Sequence, residues 1–122
     1  MSTHFITMPQ ALAMTALYRS KKEDILDPAY REKDILFISE TFDREAFDTL
    51  LSETGAAGLR FYLGMDENLQ VRIIVVATDT NGNEILPDAT TLVEPAGGAK
   101  IAEVGIRCPP TCPPPPPPQK LG

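Results

Sequence analysis

Two thiols four residues apart, in Cys108-Pro-Pro-Thr-Cys112, form the one constellation in this chain with evident chemistry: they could close a disulfide or supply two ligands to a metal. The two uses demand different geometry. A polyproline-like path rises about 3.1 Å per residue and would hold the two Cα atoms about 12 Å apart, far beyond bridging distance, so a disulfide requires a turn. Structural zinc takes four nitrogen or sulfur ligands, and the single histidine, His4, is the only further candidate of that kind. A thioredoxin-type motif has two intervening residues at a helix start, whereas three intervene here and two are proline. The spacing therefore reads as two reduced, accessible thiols, with Cys108 and Cys112 kept as the candidate thiol or metal-binding residues.

The run that follows, Pro113, Pro114, Pro115, Pro116, Pro117 and Pro118, is the most specific feature of the sequence. Each proline fixes φ and removes an N–H, so the run reads as an extended polyproline II rod that loses little entropy on docking in an aromatic groove. These six residues are the candidate binding site, with a passive spacer as the alternative. Other chemistry is thinner. Gly64, Gly82, Gly97 and Gly98 do not lead into Lys-Ser/Thr or a convincing helix start, so no phosphate loop and no cofactor are expected. No nucleophile elbow or histidine-based triad is legible. Asp66 and Glu67 read as turn residues, and a small enzyme with a carboxylate, or Tyr62 and Arg60, in a pocket is the remaining enzymatic reading.

The 122 residues carry a formal net charge of −6 with 43% hydrophobic residues, which describes one ordinary domain plus a proline-rich end. Seventeen acids against eleven bases argue against nucleic acid and against an anionic membrane surface as partners. Residues 23–53 concentrate ten acids against Arg31, Lys33 and Arg44, a solvated surface or a docking face for a basic partner. The first residues have no basic segment, long apolar run or small-residue cleavage site, so the expected location is cytoplasmic.

These residues need elements to hold them. A helix is expected from about Thr7 to Lys22, with Thr7 as N-cap, Pro9 in the first turn and Arg19, Lys21 and Lys22 at its end. Its apolar arc of Met8, Ala11, Leu12, Met14 and Tyr18 suits core burial, although Leu17 falls nearly opposite. The run Ile35-Leu36-Phe37-Ile38 reads as a short strand. A second helix spans Asp43 to Glu53, capped by Asp43 and stapled by Phe42 and Phe47. Alternation from Leu59 to Met65, a turn at residues 66–68 and an apolar stretch from Leu69 to Asp79 make a hairpin whose second strand is interior. Asn81-Gly82-Asn83 turns into a short strand near Glu84 to Leu86; residues 88–99 read as an irregular loop, and Lys100 to Arg107 as an edge strand or helical turn.

The stretches Ile38-Ser-Glu-Thr-Phe-Asp-Arg-Glu-Ala-Phe47, Gly58-Leu-Arg-Phe-Tyr-Leu-Gly-Met-Asp-Glu67, Asn81-Gly-Asn-Glu-Ile-Leu-Pro87 and Cys108-Pro-Pro-Thr-Cys-Pro113 span most of the chain. Together they resemble a family of small uncharacterised bacterial proteins. The resemblance implies no activity, cofactor or catalytic residue.

The expected fold class is α+β: two helices on a small, mainly antiparallel three- to four-stranded sheet over residues 1–107, followed by a Cys/Pro-rich tail over residues 108–122. The expected function is a non-catalytic protein-protein interaction module with an acidic surface and a polyproline tail, whose partner is a protein or a second copy of the chain. The alternative is a thiol redox or metal-binding protein using Cys108 and Cys112.

Overall fold

Thr7 and Asp43 start the two α-helices found among the described residues, each by accepting a backbone N–H that the first helical turn leaves without a partner. A computed structural model describes residues 3–87, 101–103 and 105–112. Helix α1 is Met8–Lys21, where Thr7 Oγ1 accepts from the Gln10 amide at 3.2 Å and the Gln10 side chain accepts from the Thr7 amide at 2.9 Å. Helix α2 is Arg44–Leu51, capped by Asp43 on the Ala46 amide at 2.9 Å. Phe42 and Phe47, on either side of that cap, stack with ring centroids 5.8 Å apart.

The strands are β1, Ser39–Thr41; β2, Gly58–Met65; β3, Val71–Thr78; β4, Glu84–Ile85; and β5, Ile106–Cys108. β2, β3 and β4 form an antiparallel sheet in that order, with Phe61 opposite Val75 and Leu63 opposite Ile73, while β1 and β5 make a two-stranded sheet. The fold is α+β, and β3 is central, as its apolar residues at both parities predict. Both hairpins turn on an aspartate. Asp66 Oδ1 accepts the amides of Asn68 and Gln70, and Asp79 Oδ1 those of Asn81 and Asn83, with Gly82 at positive φ in the second turn. The loop expected over residues 88–99 and the proline run 113–118 lie outside the described residues.

By contacts the chain divides into two compact units, Met1–Ser39 with Arg107–Gly122, and Glu40–Ile106. In the second unit, Leu50 of α2 and Val75 and Ala77 of β3 are the buried centre, ringed by Phe42, Phe47, Leu59, Ile73 and Ile85. In the first unit, α1 contains no buried residue, so the core burial expected for its arc does not hold. Ala11, Leu12, Thr15 and Tyr18 form a half-buried stripe, while Met8, Met14 and Leu17 are exposed, so the arc covers a surface without entering a core.

The strand expected at residues 35–38 is also corrected: regular pairing starts one residue later, at Ser39. Asp34 takes a left-handed conformation, φ 55°, and the carbonyls of Asp34 and Ile35 accept from the Arg107 side chain, so these peptides serve a guanidinium instead of a ladder.

Replacing Leu50 by Ala should cost about 2–5 kcal/mol through the cavity left at the centre of the second unit. Replacing the exposed Leu63 by Ala should cost about 0.5 kcal/mol or less. Chemical denaturation of the two variants measures the difference.

Candidate functional site

Cys108 ends β5, and the four residues after it fold back on it. The Thr111 amide donates to the Arg107 carbonyl at 3.0 Å, which closes a tight turn over Pro109 and Pro110 and brings the Cα atoms of Cys108 and Cys112 to 4.6 Å. The two sulfurs form a disulfide. This corrects the expectation of two reduced, accessible thiols on an extended segment. The turn that a bridge requires is present because the Arg107 side chain holds it, donating from Nη1 to the Pro109 carbonyl at 3.1 Å. In this form neither sulfur is a thiolate that a metal could bind, and among the described residues no group of three or more His, Cys, Asp or Glu side chains is placed to hold a metal ion.

Arg107 is itself buried. Its Nη2 donates to the carbonyls of Asp34 and of Ile35, the latter at 2.9 Å, and its guanidinium lies over the Phe37 ring, 5.7 Å from the centroid. The Phe37 carbonyl accepts from the Tyr18 hydroxyl, and the Cys108 carbonyl accepts from the Ile38 amide at 2.6 Å. Burial pushes the Tyr18 phenol above its ordinary range, Arg107 opposing and Glu23 adding to the shift. Nearby, Arg31 donates to the carbonyls of Glu23, Asp24 and Leu26, which ties down the turn after α1. The two cysteines therefore differ sharply: Cys108 is 3% exposed inside this network, whereas Cys112 is exposed.

The second unit contains two further polar groupings. On the open face of the sheet, Arg60 Nη1 meets Glu84 at 3.0 Å, the Tyr62 hydroxyl donates to the same carboxylate, and Arg60 Nη2 donates to the Gly82 carbonyl at 2.8 Å. The Tyr62 hydrogen bond, and then Arg60, hold Glu84 below the usual carboxylate range. Arg60 and Tyr62 thus meet a carboxylate, with all three side chains engaged with one another across the strands. Glu84 was findable in the sequence, since the Asn81-Gly82-Asn83 turn returns the chain to the face that Arg60 and Tyr62 share by alternation.

Glu40 is the residue that sequence reasoning missed. Its side chain is fully buried, its Oε2 accepts the Ile73 amide at 3.0 Å, and its Oε1 lies 3.0 Å from Arg72 Nε without hydrogen-bond alignment. Arg72 also faces Glu103 at 3.5 Å and donates to the Gly105 carbonyl. On that edge of β3, the Ala102 backbone pairs with Val75 and β4 with Ala77 and Thr78. The Glu40 carboxylate thus stands where a further strand would supply a carbonyl. A lone glutamate between Ser39 and Thr41 carries no sign of this in the sequence.

Beside α2, a groove of about 290 Å³ is lined by Asp43, Glu45, Ala46, Thr49, Leu50, Ile101 and Ala102. The Asp43 carboxylate on its rim already caps the helix. No family model, curated protein or solved structure matches the chain.

Two outcomes test these networks. Glu40→Ala should cost about 3 kcal/mol by stranding Arg72 and the Ile73 amide, and Glu40→Gln should cost less because its amide oxygen still accepts from Ile73; both are read by denaturant unfolding. The raised Tyr18 pKa favours the fold fully below the ordinary phenol range and loses that contribution as pH rises through the folded value. Tyr18→Phe should therefore remove part of the alkaline fall in stability in a pH series of melts.

Proposed function

We propose that the protein is a protein-interaction module in which the outer strand β2 and the proline run are the contact surfaces. The observation that carries the reading is the row Phe61, Leu63 and Met65, which are 54%, 74% and 59% exposed along one side of an edge strand. α2 has eight residues and packs over the Leu59 end of β2, so the row continues past its cover into solvent. Adjacent large apolar side chains on a strand that, among the described residues, pairs along one edge only suit an added strand or an apolar face from another protein. The acidic excess of residues 23–53 favours a partner that is neutral or basic there.

The run Pro113 to Pro118 supports the same reading from sequence alone, as a preorganised ligand for an aromatic groove. A cytosolic setting belongs to the proposal as well. Among the described residues no helix is long and apolar enough to cross a membrane.

The test compares the full chain, Leu63→Asp and a chain ending at residue 112, by capture from native lysate and by sedimentation for self-association. Leu63→Asp should leave stability within about 0.5 kcal/mol and abolish either a captured partner or a dimer. Removing residues 113–122 should leave the melting midpoint within about two degrees, about 0.5 kcal/mol for a domain of this size, and abolish binding to domains that recognise polyproline. If both variants keep every association of the full chain, the reading is wrong.

A further inference from the structure

We infer that the Cys108–Cys112 disulfide is a reversible thiol-exchange site, with Cys112 the sulfur attacked by an external dithiol and Cys108 the leaving group. This inference stands apart from the interaction reading, since it rests on the turn at the end of β5 and not on β2 or the proline run.

Three features carry it. The first is asymmetry: Cys108 is buried in strand β5 and Cys112 is exposed, so an incoming thiolate reaches one sulfur of the pair and not the other. The second is loop length. The bridge spans a sequence separation of four, so it removes little freedom from the unfolded chain and contributes little as a structural staple. A disulfide serving as a staple would join distant segments, and here distant segments are joined by other means: Arg107 donates to Asp34 and Ile35, and the Ile38 amide donates to Cys108.

The third feature is that the turn has its own supports. Thr111 N–H to the Arg107 carbonyl and Arg107 Nη1 to the Pro109 carbonyl hold residues 107–111 without help from the sulfurs. Once reduced, the thiols therefore stay near each other, which makes re-oxidation an intramolecular event at high effective concentration.

The exchange balances as follows. A thiolate of the external dithiol attacks Cys112 Sγ, the Cys108–Cys112 bond breaks, and Cys108 leaves as a thiolate that takes up a proton. The second thiolate of the dithiol then attacks its own sulfur in the mixed disulfide, and Cys112 leaves and is protonated. The protein gains two electrons and two protons, and the external dithiol becomes a disulfide. The reverse sequence, with an external disulfide as oxidant, restores the bridge.

The experiment equilibrates the folded full-length chain with dithiothreitol in graded reduced-to-oxidised ratios, traps thiols by alkylation and reads them by mass spectrometry. Both thiols should appear together in one two-electron transition, without denaturant and with the far-ultraviolet dichroism unchanged. With single thiols, Cys112 in Cys108→Ser should alkylate at least tenfold faster than Cys108 in Cys112→Ser. Re-oxidation of the folded chain should run at least tenfold faster than that of a peptide of residues 106–112, because the peptide lacks the Asp34 and Ile35 carbonyls and the Phe37 ring that fix the Arg107 side chain from which the turn is held. Reduction only under unfolding conditions would overturn the inference, and so would equal reactivity of the two cysteines or re-oxidation no faster than in the peptide. Should either serine variant fail to fold, the native-state titration and the peptide comparison decide the matter on the unaltered sequence.

Discussion

A buried guanidinium must have its N–H groups met, and Arg107 meets that demand with backbone carbonyls from two stretches of chain far apart in sequence. Much of the first unit follows from this demand. It holds Asp34 and Ile35 away from ladder pairing, draws Phe37 beneath the cation, and holds the turn on which the cysteines meet. The carbonyl of Phe37 is then positioned for Tyr18 of α1, whose side-chain hydroxyl reaches into this network. The rest of helix α1 packs through half-buried side chains, Ala11, Leu12 and Thr15.

The second unit rests on a different constraint, the need of a central strand to satisfy both of its edges. β2 meets one edge over the full length of β3. The other edge is met piecewise, by β4, by the Ala102 backbone and by the carboxylate of Glu40. Gly105 belongs to the same arrangement: a Cβ there would stand 2.7 Å from Glu40 Cγ and 2.8 Å from the Phe42 ring, so only the smallest residue lets the chain pass the buried carboxylate. The acid, the glycine and the aromatic ring are one packing solution assembled from both ends of the unit.

Local signals were the legible ones. Thr7 and Asp43 announced helix starts, Phe42 and Phe47 announced a staple, and alternation with turn residues announced the β2–β3 hairpin, because each involves residues within a few positions of one another. What the sequence did not disclose depends on partners dozens of residues away. Ile35 to Ile38 has the composition of a strand, but the Asp34 and Ile35 carbonyls are taken by Arg107 and, among the described residues, only the Ile38 amide pairs, with Cys108. Glu40 looks like any surface acid until Arg72 and the Ile73 amide are set beside it. The prolines between Cys108 and Cys112 suggest a stiff extended segment, whereas the turn the cysteines occupy is held by hydrogen bonds from Arg107 and Thr111.

The division into units also orders the folding of the chain in time. Glu40–Ile106 is continuous, with most of its pairing in adjacent hairpins, so its sheet can start from local contacts before Glu40 and Ala102 close the other edge of β3. The other unit is split around it, and its organising cation follows the whole of the inserted segment. During synthesis from the N-terminus, α1 and the carbonyls of Asp34 and Ile35 must wait, unclosed, until Arg107 leaves the ribosome. By then the inserted segment can already be folded, and a folded insert with its ends held close shortens the search by which the two halves find each other.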